Sequence, residues 1–327
     1  MPSANDDVLV VRPSSLGDIV YALAIVSDIL THDPQAHVDW VAEEAFASLV
    51  RLDPRIRTVI PLGLRRWRQA PLRRDTWHDL FSFRRALREV RYAAIIDLQE
   101  QVKGALVARS AQGIRHGFDR NSIREPVATW LHDVHHRIDR QQHFLDKCRA
   151  LAAAALDYRI SGPARWQFVP PAATAAMPAG RYALVFHATS RADKLWPEDA
   201  WRGLLTRLAT AGITTLLPWG TAVEEARSHR LAAGAAAAIV PARQALPDLA
   251  ALIRHADIVV GVDTGLTHLA AAMGTSTVAV FTTTDPSLAG VARLGAHARD
   301  VGGHGSVPPQ EEVLAAVGRL LQRKPQC

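Results

Sequence analysis

Three junctions between a strand-like run and a helix-like run hold most of the residues that could do chemistry. The most informative runs Asp257-Ile-Val-Val-Gly-Val-Asp263-Thr264-Gly265-Leu266-Thr267-His268 into an Ala-rich stretch. The first N–H groups of a helix have no intrahelical acceptor, and the helix dipole adds partial positive charge there. Gly265 lets the backbone approach a ligand closely, so 263–266 suits a phosphate or diphosphate. The alternative is that Asp263 or Thr264 merely caps the helix. His268 could donate to a phosphate or a sugar, or be an ordinary packed histidine.

The second junction is Ser14-Ser15-Leu16-Gly17-Asp18. It lacks the Gly-x-Gly-x-x-Gly spacing of a dinucleotide site. Gly17 permits a tight turn. Asp18, at a helix start, is kept ionised by the dipole and could take a proton from a hydroxyl nucleophile, or serve only as a first-turn acid. The third junction is His187-Ala-Thr189-Ser190-Arg-Ala-Asp-Lys194. Its hydroxyls and ammonium suit a diphosphate that gains charge as it leaves, or they form a solvated loop. Glu224 follows Pro218-Trp-Gly220 and suits the paired hydroxyls of a ribose, or a helix N-terminus. Gln244, in the turn after Val240, lies near an expected nucleobase.

The elements needed to position these groups are legible in the alternation of runs. Strands are expected at 8–12, 37–41, 59–62 and 93–97. Helices at 19–30 and 43–50 and an Arg-rich stretch at 64–91 lie between them. A Pro-, Ala- and Gly-rich segment, 161–180, reads as a linker. Beyond it, strands at 182–187, 213–217, 238–240, 257–262 and 277–281 alternate with helices at 198–211, 224–233, 247–255 and 266–273. Such alternation gives parallel βαβ units. The fold class is therefore α/β: two doubly wound, Rossmann-like domains, 1–160 and 181–327, facing a central cleft. A last helix at 309–323 is expected to pack back on the N-terminal domain.

The 327 residues are 48% hydrophobic and 21% charged, which excludes disordered and fibrous classes. Lys and Arg number 38 against 32 Asp and Glu, a net charge of +6 that favours an acidic partner. Two cysteines give neither a disulfide framework nor a metal cluster, and fit a reducing cytosol. No secretory signal or bilayer-length apolar run is visible. His132, His135, His136 and His143 lie close in sequence, but without cysteines or paired carboxylates at a fitting spacing they read as a polar helix face, with no metal.

Taken together, Ser14–Asp18, Arg65-Arg66-Trp67-Arg68, Arg124-Glu-Pro, Gln141-Gln-His143, the 187–197 segment, Pro218-Trp-Gly and Val262–His268 resemble the lipopolysaccharide heptosyltransferases. The match runs in order through nearly the whole chain. The Arg-Arg-Trp-Arg and Arg-Glu-Pro stretches resemble the members that add the first heptose. The resemblance implies a GT-B fold and inverting, metal-independent transfer from ADP-L-glycero-β-D-manno-heptose to the inner Kdo of Kdo-lipid A, with no cofactor. It makes Asp18 the general base. Thr189, Ser190 and Lys194 would hold the diphosphate, Glu224 the ribose and Asp263 the heptose hydroxyls. Thr264, Gly265, Leu266 and His268 would complete the phosphate cradle. Ser15, Gly17, Arg65, Arg66, Arg68 and Arg124 would meet the acidic acceptor. A monomer is expected, cytoplasmic and peripheral on the anionic inner membrane, which the Arg-rich, Trp-bearing 64–91 stretch would face; nucleic acid is not expected. Two positions depart from the family pattern: Gln69 stands where Lys is expected, and Glu100 near where Gly is expected. Rival readings are another GT-B enzyme, such as a second heptosyltransferase or a sugar-nucleotide epimerase, and a non-catalytic nucleotide-binding module.

Overall fold

Strands buried on both faces need unbroken apolar runs, and the chain supplies them twice. In the computed structural model, which describes residues 7–172 and 177–323, Asp7–Val11 and Ile258–Val262 are buried at every position. The chain divides into two compact units, Met1–Val169 and Pro170–Cys327, with the division inside the Pro- and Gly-rich segment.

The first unit begins with β1 (Asp7–Val11), α1 (Leu16–Ala22), α2 (Ala24–His32), β2 (His37–Glu43), α3 (Glu44–Val50) and β3 (Ile56–Leu62). It continues through α4 (Leu64–Gln69), α5 (Arg74–Ala86), β4 (Arg91–Asp97), α6 (Val102–Ser110), β5 (Gln112–Phe118), β6 (Val134–His136) and α7 (Phe144–Ala155). Its six strands are parallel, in the order β3-β2-β1-β4-β5-β6. Leu9, Val11, Ile95 and Leu87 anchor one face of the core. At the N-terminal edge of the sheet, Arg57 joins Asp39 (2.6 Å) and Asp7 (2.7 Å), and Tyr92 Oη–H donates to Asp39 (3.0 Å).

The second unit runs β7 (Tyr182–Phe186), α8 (Glu198–Thr210), β8 (Thr214–Leu216), α9 (Ala222–Ala232), β9 (Ala238–Ile239) and α10 (Leu246–His255). Then come β10 (Ile258–Val262), α11 (Gly265–Ala272), β11 (Thr277–Phe281), α12 (Pro286–Ala289), β12 (Ala298–Gly302) and α13 (Gln310–Arg323). Its parallel order is β12-β11-β10-β7-β8-β9. Counted from each unit's own first strand, the two orders are the same. In both, the strand order reverses between the first and fourth strands, and ligand sites form at the C-terminal ends of strands flanking such a point.

Three expectations change. The helix placed at 19–30 starts earlier, at Leu16, and breaks at Leu23 into α1 and α2. The 98–160 stretch carries α6, β5, β6 and α7, and β12 completes the second sheet. The last helix buries Val313, Ala316, Val317 and Leu320 in the core of its own unit, where it was expected to pack on the N-terminal half.

Candidate active site

In the first unit, β1 ends at Val11 and the chain turns through Pro13–Ser15 into α1. Asp18 is the third residue of that helix. Its Oδ2 accepts from the Ser15 N–H (3.0 Å) and the Ser15 hydroxyl (2.8 Å), and pairs with Arg12 Nη2 (2.5 Å). The Ser15 N–H contact is the returning arm of a capping box, so the first-turn role is real. Yet Oδ1 receives no donor among the described residues, and the side chain is 37% exposed. Burial pushes the Asp18 carboxyl up, but the Arg12 guanidinium and the two Ser15 donors outweigh it and hold it below the ordinary carboxylate range. Arg12 is itself buried, donates to the Leu98 carbonyl and lies 4.7 Å over the Phe144 ring.

Asp18, Ser15, Glu100, Lys103 and Arg124 line one cavity of about 310 Å³. The structure thus brings together the predicted base, Ser15 and one of the four acceptor arginines. The other three separate. Arg65 pairs with the buried Glu43 (2.9 Å), and Arg66 with Glu44 (2.7 Å) and Asp79. Arg68 makes no ion pair among the described residues and lines a neighbouring groove with Lys103. Gly17 lies on the first turn of α1 beside Asp18. Gln69 closes α4 at its exposed end.

In the second unit, Asp263 follows β10 and does not cap α11. Its Oδ1 takes His268 Nε2 (3.0 Å), and its Oδ2 takes Lys194 Nζ (2.5 Å) and the Thr284 hydroxyl (2.8 Å). Burial pushes its carboxyl up, but His268 and Lys194 overcome this and hold it far below the ordinary range. Thr264, the N-cap residue, makes no side-chain cap bond. The leading N–H groups of α11, those of Gly265 and Leu266, are therefore left to a ligand or water. Close packing aims this helix: a Cβ on Gly261 would stand 2.1 Å from the Thr267 hydroxyl, so only glycine lets α11 lie so near β10. The Thr189 hydroxyl reaches the Asp263 carbonyl at 3.4 Å, which ties the 187–194 loop to this junction. Ser190 is exposed. Glu224 caps α9, with Oε2 accepting from Gly220 N–H (2.7 Å) and Thr221 N–H (3.1 Å). Gln244 is half-buried and donates to the Ala242 carbonyl in its own turn.

Two cationic, hydroxyl-lined junctions on identical sheets suit a sugar nucleotide and its acceptor, and known proteins agree. The family model for glycosyltransferase family 9 (heptosyltransferase) matches residues 80–309. The chain belongs to glycosyltransferase family 9. It is 40% identical over 286 residues to lipopolysaccharide heptosyltransferase 1 of Escherichia coli strain K12, covering 86% of this chain and 90% of that one. The E. coli heptosyltransferase WaaC solved with ADP superposes with a TM-score of 0.87 at 35% identity, over 96% of this chain and 99% of that one. The same enzyme with ADP-2-deoxy-2-fluoro heptose gives 0.83 at 35% identity, over 97% and 99%. The fold is GT-B, α/β with two Rossmann-like units.

Within this family 9 enzyme, three site-lining groups escaped the motif reading. Lys103 stands in both cavities and donates to the Ser14 hydroxyl (2.9 Å). Burial, opposed by Glu43 and reinforced by Arg12, Arg65 and Arg68, holds its ammonium below the usual lysine range. Arg12 was seen only as a strand end, and Thr284 lies 21 residues from the Asp263 it serves. The Glu100 departure has a physical account. Its φ is +59°, the left-handed region that favours glycine, and its carboxylate is neutralised by the buried Lys147 at 2.5 Å. The four histidines do not form a polar helix face. His132 pairs with Asp97 in full burial (3.0 Å), His136 stacks on His116 with ring nitrogens 3.0 Å apart, His135 meets the Thr129 carbonyl, and His143 caps α7. No group of three metal-ligating side chains occurs among the described residues.

Proposed function

We propose that the enzyme transfers L-glycero-D-manno-heptose from ADP-L-glycero-β-D-manno-heptose to the inner Kdo of Kdo-lipid A, with inversion and without a metal. The observation that carries the reading is the division of labour on Asp18. Three donors fix Oδ2, Oδ1 receives none among the described residues, and Asp18 lines a cationic cavity. The Kdo carboxylate sits against Lys103 and Arg124, which pair with no carboxylate among the described residues, with Arg68 beside them. Asp18 Oδ1 takes the proton of the Kdo hydroxyl as its oxygen bonds the anomeric carbon. The bond from that carbon to the diphosphate breaks, and ADP leaves with the electron pair. General-base assistance of this kind is worth about 10²–10⁴-fold, roughly 3–5 kcal/mol.

The leaving diphosphate is held by the α11 N–H groups, Thr189, Ser190 and Lys194. An ammonium has three donors, and Asp263 takes one, so the others remain for phosphate oxygens. One strong preorganised donor contributes about 3–4 kcal/mol. Asp263 has three of its roughly four acceptor positions filled, so its main task is to hold Lys194 and His268, with one position left for a heptose hydroxyl. Glu224 moves from its cap to the ribose. Among the described residues no helix is long and apolar enough to cross a membrane. The enzyme works as a monomer at the cytoplasmic face of the inner membrane, touching anionic lipid. Cosedimentation with anionic vesicles, released by high salt, checks this contact; equal recovery with neutral vesicles sinks it.

Product mass after incubation with ADP-heptose and Kdo-lipid A, in excess EDTA, tests the whole scheme. One added heptose is expected, with ADP released only when both substrates are present. An altered sugar released without acceptor indicates an epimerase, and strict rescue by Mg²⁺ ends the metal-free mechanism.

A further inference from the structure

A second cavity of the first unit, larger than the one at Asp18, has apolar walls that play no part in the transfer just described. It measures about 820 Å³ and lies between α4, α5 and α6. Leu62 and Trp67 line it, facing Leu80 and Phe81 of α5 and Leu106 and Val107 of α6. On α5, Trp77, Leu80, Phe81 and Arg84 recur at helical spacing and share one face. Trp77 is 51%, Phe81 64% and Leu106 53% exposed, an unusual amount of uncovered apolar surface in one place. Lys103 and Gln101 belong to the walls of both this groove and the Asp18 cavity. A cation, Lys103, therefore stands where the two meet, with a polar cavity on one side and an apolar groove on the other. That sequence of surfaces matches an amphiphile with an anionic head and a hydrocarbon tail.

We infer that the groove lodges an acyl chain of the acceptor glycolipid while its anionic sugar is held at Lys103, Arg124 and Asp18. The inference rests on the proposed acceptor. The groove makes the enzyme a reader of the lipid as well as of the sugar: the chain anchors the acceptor and lowers its KM without touching the chemical step. A hydrocarbon tail from the surrounding bilayer would fit the same walls, and the experiment separates the two sources.

Transfer is measured in water, without detergent or vesicles, on two acceptors: the fully deacylated Kdo-glucosamine oligosaccharide and the same sugar bearing one short, soluble acyl chain. The expected result is a KM about tenfold lower for the acylated acceptor, which roughly two buried methylenes supply, at unchanged kcat. Phe81→Asp and Leu106→Arg, on opposite walls, should each erase that advantage and leave turnover of the deacylated acceptor intact, which also shows that the variants fold. Equal KM values for both acceptors in the wild-type enzyme would overturn the inference. So would a chain advantage that emerges only when anionic vesicles are added, since the groove would then serve bilayer lipid. Transfer to neither acceptor strikes the substrate assignment instead.

Discussion

The β1–α1 and β10–α11 junctions have one shape and opposite electrostatic designs. In the first, the acid is inside the helix and folds back on the N-cap residue: Asp18 accepts from Ser15 and Arg12 with one oxygen and presents the other. In the second, the acid precedes the helix and turns away from it: Asp263 spends its oxygens on Lys194, His268 and Thr284, and the helix N-terminus stays uncapped. The contrast is between an offered lone pair and offered N–H groups. Under the proposed mechanism, one junction would receive a proton and the other negative charge. Because both sheets share a strand order, the difference comes from where the carboxylate sits relative to the first helical turn.

The sharpest way to break this comparison is to neutralise each acid in turn. Asp18→Asn should lower kcat by about 10²–10⁴-fold while ADP-heptose binds within about twofold of wild type and the fold changes by about 1 kcal/mol at most. Asp263→Asn should instead act mainly on stability, because it leaves the half-buried Lys194 ammonium and the buried His268 without their carboxylate, and should destabilise the enzyme by about 3–5 kcal/mol in denaturant unfolding. If the two variants shift activity and stability alike, the division of roles is wrong.

A second measurement compares the units through their buried histidines. Burial holds His116 down at about 4, with His136 adding to it, and burial with Arg227 nearby holds His187 down at about 4. Each folded-state pKa lies below the ordinary 6.5, so the unfolded chain binds more protons between those values. The stability owed to neutral rings is present above about pH 6.5 and is lost as pH falls toward 4, by at most about 3 kcal/mol for each. His116→Gln and His187→Gln should each flatten part of that slope in pH-dependent unfolding. Asp18 stays ionised throughout this window, so kcat should hold until the fold weakens; a kcat limb near pH 6.5 in a still-folded enzyme would contradict the carboxylate base.

The smallest effects concern caps. Glu224→Gln preserves the capping geometry at α9, because a Gln oxygen accepts the same N–H bonds, so stability should stay within about 0.5 kcal/mol. Loss of its charge should still raise the donor KM, by about tenfold if it meets the ribose. Thr264→Ala should leave stability nearly untouched, since no cap bond exists to lose; a loss of about 1 kcal/mol would mean that α11 is capped after all.

Sequence reading found what local chemistry signals and missed what only packing assembles. β1 and β10 were visible as unbroken apolar runs, and the three junctions followed from the turn residues behind them. β6 is Val-His-His, and β12 is Ala-Arg-Asp-Val-Gly; neither has an apolar run long enough to declare a strand. The arginines were legible as a cluster, but not their partners: Glu43, Glu44 and Asp79 claim Arg65 and Arg66, while Arg68 and Arg124 make no ion pair among the described residues. Lys103 and Thr284 carry no motif, because their importance comes from the fold bringing distant segments to one strand end. Glu100 was flagged by type alone; its backbone angle and its Lys147 partner explain it.

The absent side chain at position 261 has a mechanical consequence. With Thr267 Oγ only 2.1 Å from where a methyl would go, even alanine must either turn that hydroxyl off the Val262 carbonyl or shift α11 away from the sheet. A tilt of that rod would displace its leading amides, and a hydrogen bond from an N–H to an anion weakens steeply with such a change in length and angle. Catalytic tolerance at this buried, chemically silent residue is therefore set by alignment, much as a rangefinder is spoiled by a bent mount and not by a cracked lens.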